Sequence, residues 1–149
     1  MADLYGAGRM VVIYTVAGVT GFALSSLAGM YLPPLPVLGG AGFSVGASAN
    51  IFGLLGALVH YGRRTGSSHA RQMGLQCAIF LGAIGLIPNM GIDNWAHAGG
   101  FAGGFITSVV LDPLTRERVD HLVIALACLA LTLLALVASF VTALPVIMQ

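Results

Sequence analysis

From His121 to Gln149 the chain carries no Asp, Glu, Lys or Arg. A stretch of that length exceeds the roughly 20 apolar residues a helix needs to cross a bilayer. Four more stretches qualify or come close, so the apolar runs lie at about 10–32, 44–60, 72–91, 95–111 and 120–148. Only 7% of the residues are charged, against roughly 25% in an ordinary soluble domain. A chain so poor in charge cannot cover a water-facing surface, and the solvent it implies is lipid. The same poverty excludes a nucleic-acid binder, which needs clustered Lys and Arg to neutralise phosphate. No zinc-ligand spacing, phosphate loop or dinucleotide fingerprint is present, so neither metal nor cofactor is expected. Cys77 and Cys128 sit inside different apolar runs and read as buried small hydrophobes rather than a disulfide.

The breaks between runs are well marked. Pro33 and Pro34 stop the first, because proline cannot continue a helix. "HYGRRTGSSHARQ" follows the second, "PNMGIDN" closes the third, and "DPLTRERVD" follows the fourth. The last run is long enough to tilt or to overhang the bilayer. The first is too long for the apolar core of a secretory signal and is retained as a span. All six basic residues are arginines: Arg9, Arg63, Arg64, Arg71, Arg116 and Arg118. With five spans they all fall on one side, while the loops at about 33–43 and 89–94 carry none. Because basic loops stay inside, Met1 is expected in the cytoplasm and Gln149 outside. The expected fold is all-α: a polytopic transmembrane helical bundle of five spans, one domain over residues 1–149.

This topology places two reactive side chains at one depth. The second run enters from outside near Ser44, so Ser48 falls about one turn inside, roughly 6 Å at 1.5 Å per residue. The fourth enters from outside near Asp93, which puts His97 about as deep. Ser48 taken alone reads as a small packing residue among Gly and Ala. An intramembrane histidine is costly and faces a cavity or a site. His60, His69 and His121 lie in or beside the arginine-bearing loops and read as wet, interfacial residues. The second run carries Gly46, Gly53 and Gly56. The fourth carries "GGFAGG", in which Gly99–Gly103 and Gly100–Gly104 are small-xxx-small pairs that let helix backbones touch. Asp93 and Asn94 precede the fourth helix and read as N-caps.

Two segments, "VGASANIFGLLGALV" and "DNWAHAGGFAGG", resemble the rhomboid intramembrane serine proteases, whose signature is a GxSG serine motif followed by an AHxGG histidine motif. The upstream "GRMVVIYTVAGVTG" resembles the rhomboid helix that precedes the serine helix, and "GRR" fits some bacterial members. The resemblance implies that Ser48 is the nucleophile and His97 the general base, a dyad without a carboxylate. A serine hydroxyl needs such a neighbouring base to attack, and histidine can return the proton to the leaving amine. Ser48 begins a helix, where unpaired N–H groups point outward, so its own N–H is a candidate oxyanion donor. Phe52, four residues on, resembles the aromatic that packs on the catalytic histidine; plain core or lipid packing is the alternative. The implied substrates are transmembrane segments of other proteins, and the implied location is a bacterial inner membrane.

Two departures from that family stand out. Ala49 replaces the second glycine of GxSG and is expected to add a methyl beside the nucleophile. A minimal rhomboid core has six helices, and this chain matches its last four plus one more at the C-terminus. The first two helices are then unaccounted for, with the His and Asn that assist the oxyanion hole. Either the natural protein is longer than this chain or it is a reduced homologue. The alternative function is a non-catalytic rhomboid-like protein that binds transmembrane clients. A small transporter or channel subunit is disfavoured, because no further ionisable residues mark a path across the bilayer. Nothing in the sequence sets the oligomeric state.

Overall fold

A computed structural model describes residues 1–32, 46–87 and 91–147, with side chains to residue 143. These residues form six helices: α1 (Ala2–Tyr5), α2 (Ala7–Tyr31), α3 (Ser48–Thr65), α4 (Ser68–Ile84), α5 (Asn94–Val110) and α6 (Val119–Ile147). The Pro33–Pro34 stop, Ser44, residues 88–90 of the third break and the last two residues lie outside the described residues. Among the described residues α2 and α6 are the two helices long and apolar enough to cross a membrane by length and composition. The other four are shorter: α1 has 4 residues, and α3, α4 and α5 have 18, 17 and 17.

Apolarity marks these helices less sharply than capping does. The helix expected over 44–60 starts at Ser48 instead, because Gly46 takes φ 115°, outside any helical conformation. It then runs on through Arg63 and Arg64 and stops where Gly66 adopts φ 74°, the left-handed end that glycine supplies without strain. The helix expected over 72–91 begins earlier, where the Ser67 hydroxyl accepts from the Ala70 N–H, and ends at Ile84 although apolar residues continue. α1 was not expected. Gly6, at φ 88°, separates it from α2.

α5 lies at the centre, packed on both α3 and α2; α4 packs on α3, and α6 packs on α2. Glycines permit the close approach. A Cβ on Gly100 would strike the Ala49 backbone, and one on Gly104 would strike the Gly53 backbone. Gly53 and Gly56 likewise face Gly100 and Phe101 across the same seam. Gly99 and Gly103 serve a second seam, against Thr20 of α2. Polar side chains join the helices where backbones meet: Thr20 donates to the Gly99 carbonyl at 3.1 Å, and Asn50 donates to the Tyr14 carbonyl at 2.9 Å.

The opposite end of the bundle gathers the arginines. Arg64 pairs with Asp112 at 2.9 Å. Arg9 is not a solvated loop residue: it is 1% exposed, its Nε donates to His121 Nδ1 and its Nη1 to the Asp112 carbonyl. His60 is also buried rather than wet, its Nδ1 3.3 Å from the Tyr5 hydroxyl, which donates to the Ala57 carbonyl. Burial, above all, pushes the Tyr5 phenol up to about 12. Cys77 and Cys128 are free thiols and only partly buried.

Candidate active site

Ser48 is the first residue of α3, at the helix start expected for it, and it is exposed. The turn at Gly46 and Ala47 delivers it there. The first bond of the helix runs from the Ile51 N–H to the Ala47 carbonyl at 3.0 Å. The N–H groups before it, those of Ser48, Ala49 and Asn50, have no carbonyl four residues back within the helix. Any residue other than glycine at 46 would be strained at that φ, although a Cβ there would meet open space.

His97 occupies the first turn of α5 and is 8% exposed. Its ring stacks on Phe52, with centroids 4.1 Å apart and planes 9° from parallel. Four-residue spacing on α3 puts Phe52 and Ser48 on one helix face. The three side chains meet at a cavity of 240 Å³ whose other walls are Ile51, Leu81, Ile84 and Ile92. His97 Nδ1 is buried and has no hydrogen-bond partner among the described residues. Phe52 packs flat against the ring, and Nδ1 is not anchored by a fixed acceptor among the described residues.

Ala49 does not crowd this cavity. It is 1% exposed and its methyl faces α2 at the position where Gly21 leaves room. The departure from GxSG is thus absorbed in the α2–α3 seam, and the methyl expected beside the nucleophile points elsewhere.

Asp93 caps α5 as expected, its Oδ1 accepting from the Ala96 N–H at 2.9 Å. Its other oxygen accepts from the Ser25 hydroxyl of α2. Asn94 is the first helical residue, and its side-chain amide donates to the Gly85 carbonyl at the end of α4, at 2.8 Å. The start of α5 is therefore tied to α2 by Ser25 and to α4 by Asn94, and these ties position His97 one turn later. Sequence reasoning missed Ser25 and Asn94 as positioning residues. The available signal was a lone polar residue inside or beside an apolar run, which must find a partner when buried. No group of three or more His, Cys, Asp or Glu that could hold a metal occurs among the described residues.

A family model described as the Rhomboid domain matches residues 1–114. The chain is 35% identical over 115 residues to the Rhomboid protease GluP of Bacillus subtilis, a match covering 72% of this chain and 20% of that protein. It is 36% identical over 111 residues to RHOMBOID-like protein 1 of Arabidopsis thaliana, covering 71% and 25%. It is also 33% identical over 122 residues to Inactive rhomboid protein 1 of Danio rerio, covering 80% and 13%. The chain thus spans about a fifth of the length of the Bacillus protein and a quarter of the Arabidopsis one. No solved structure matches it.

Proposed function

The chain belongs to the rhomboid family, and from that membership we propose that it is an intramembrane serine endopeptidase working through a Ser48–His97 dyad. The observation that carries this reading is the shared cavity: Ser48 and His97 line it together, with Phe52 stacked on the imidazole. The substrates are transmembrane segments of other membrane proteins. No metal or cofactor takes part.

In this reading the Ser48 hydroxyl attacks the scissile carbonyl while His97 takes its proton. The tetrahedral oxyanion is held by N–H groups at the start of α3, the Ser48 N–H among them. The intermediate collapses as His97 returns the proton to the departing amine nitrogen, leaving an ester on Ser48. Water then attacks the ester, again giving a proton to His97. The ester bond breaks, the acid product leaves, and the proton returns to Ser48. The position at a helix start suits this chemistry, because hydrolysis needs water and the bilayer centre holds none. A helical substrate must unwind to present its bond, so helix-breaking residues in it lower the cost.

All five helices α2–α6 cross the membrane in this proposal. The 17 residues of α4 and of α5 span about 26 Å at 1.5 Å each, near the lower limit for a spanning helix. The arginine end faces the cytoplasm, in a bacterial inner membrane.

A second reading, a non-catalytic protein that holds transmembrane clients, is favoured by one relative's name, Inactive rhomboid protein 1. Reconstitution in liposomes with a model single-span protein separates the two. The protease reading expects cleavage products that vanish in Ser48→Ala. Capture of the intact span by both forms, without products, would establish the second reading instead.

A further inference from the structure

At the arginine end of the bundle the acids match only some of the cations. Arg64 pairs with Asp112, and Arg118 pairs with Asp120. Glu117 is taken up at the start of α2, where it accepts from the Arg9 N–H at 3.0 Å. Arg63 of α3 and Arg71 of α4 are exposed and form no ion pair among the described residues. Their backbones stand close together: a Cβ on Gly62, the residue before Arg63, would strike the Arg71 N and Cβ. Beside them is a cavity of 390 Å³ between α3, α4 and α5. Arg63 is its charged wall residue, and the rest of the lining is apolar, with Val59, Leu75 and Phe105 facing in from the three helices. The Arg63 guanidinium lies 5.5 Å from the centre of the Phe105 ring, within the reach of a cation–π contact. Arg71 stands four residues before Leu75, so the two share one face of α4.

We propose that this cavity seats an anionic phospholipid, with the phosphate on Arg63 and Arg71 and an acyl chain between α4 and α5. The site is separate from Ser48 and does not depend on the protease reading. It needs only that the arginine end stands at a membrane surface. Charge and shape together decide the occupant. A guanidinium fork matches phosphate oxygens, and two arginines without a carboxylate favour a negative headgroup over a zwitterionic one. Basic pockets between spanning helices are the places where such headgroups bind. A soluble anion would satisfy the arginines and leave the apolar walls bare. A phospholipid covers both, because its charge stays at the interface while its chain points into the hydrocarbon. The lining runs in the same direction: Leu75 and Phe101 wall this cavity and also the next one along α4 and α5, which extends to Phe52.

The test uses the whole chain in neutral detergent, with phosphatidylglycerol and phosphatidylcholine of identical acyl chains, and reads bound lipid by native mass spectrometry. The wild type is expected to prefer phosphatidylglycerol by about twentyfold. Arg63→Gln and Arg71→Gln should each lower that preference about fivefold, the effect of one basic residue beside an anionic headgroup. Arg63→Lys keeps the charge and should restore most of what Arg63→Gln loses, which a folding defect at this position would not allow. Arg116→Gln removes another arginine that forms no ion pair among the described residues but does not line the cavity; it should leave the preference unchanged. Ala102→Leu narrows the cavity without altering charge and should weaken phosphatidylglycerol several-fold. Glycerol phosphate, a headgroup without chains, should not displace the lipid. A wild type indifferent to headgroup charge, or an equal loss in Arg116→Gln and Arg63→Gln, overturns the site. Full affinity in Ala102→Leu, or displacement by glycerol phosphate, shows an anion contact without a seated chain and overturns it as well.

Discussion

At Ser48 the decisive features are the turn that precedes it and the ring that faces it. Gly46, at φ 115°, lifts the chain so that α3 begins on the serine itself. Phe52 then holds His97 flat at 4.1 Å. An aromatic pair of this kind contributes about 0.5–1.5 kcal/mol beyond its buried area. Phe52→Leu keeps the apolar volume and removes the flat face. Reaction of Ser48 with a fluorophosphonate should therefore slow by a few-fold to about tenfold, measured as a second-order rate. An unchanged rate would show that the stack does not position the imidazole. That Ser48 and His97 would come to one place, where they now line a common cavity, was legible in the sequence, because matched depth and small-residue spacing are one-dimensional properties. The direction of the Ala49 methyl was not. Which way a helix face turns depends on the neighbour that makes room, here Gly21 of α2. Ser25 and Asn94 were equally hidden, since their partners are 68 and 9 residues away.

Among the helices, glycine decides the packing, and its positions divide the labour. Gly104 and Gly100 bring α5 onto α3, while Gly99 and Gly103 bring it onto α2. Gly104→Ala drives a Cβ into the Gly53 backbone, which cannot rotate away as a side chain can. Overpacking of this kind costs about 1–3 kcal/mol, so unfolding in a detergent titration should begin earlier than for the wild type. Gly82→Ala adds the same methyl on α4 where nothing stands within 4 Å. It should be neutral or slightly stabilising, by up to about 1 kcal/mol of helix propensity. Equal effects at the two positions would refute the assignment of the seam. The small-xxx-small pattern revealed that α5 packs closely, but not that it serves two partners at once. Helix ends were less legible than helix existence. Apolarity reports where lipid lies, whereas α3 ends at Thr65 with Gly66 as its cap and α4 begins at Ser68 with Ser67 as its cap, for reasons of backbone conformation and capping.

Across the whole molecule, the arginines collect at one end through contacts that sequence order does not display. Arg64 reaches Asp112, and Arg9, in the first turn of α2, reaches His121 of α6 and the Asp112 carbonyl. The sequence showed the asymmetry but not that Arg9 is buried, because burial depends on α6 folding back over α2. In sealed cells a tag at Met1 should be protected from external protease and a tag at Gln149 digested; a protected Gln149 contradicts the orientation. The central claim is narrower than topology: Ser48 is nucleophilic because His97 shares its cavity. Labelling the membrane-embedded protein with a fluorophosphonate, and locating the adduct by mass spectrometry, tests it most directly. The account predicts an adduct on Ser48 that is lost in His97→Ala. Equal labelling of wild type, Ser48→Ala and His97→Ala would contradict it.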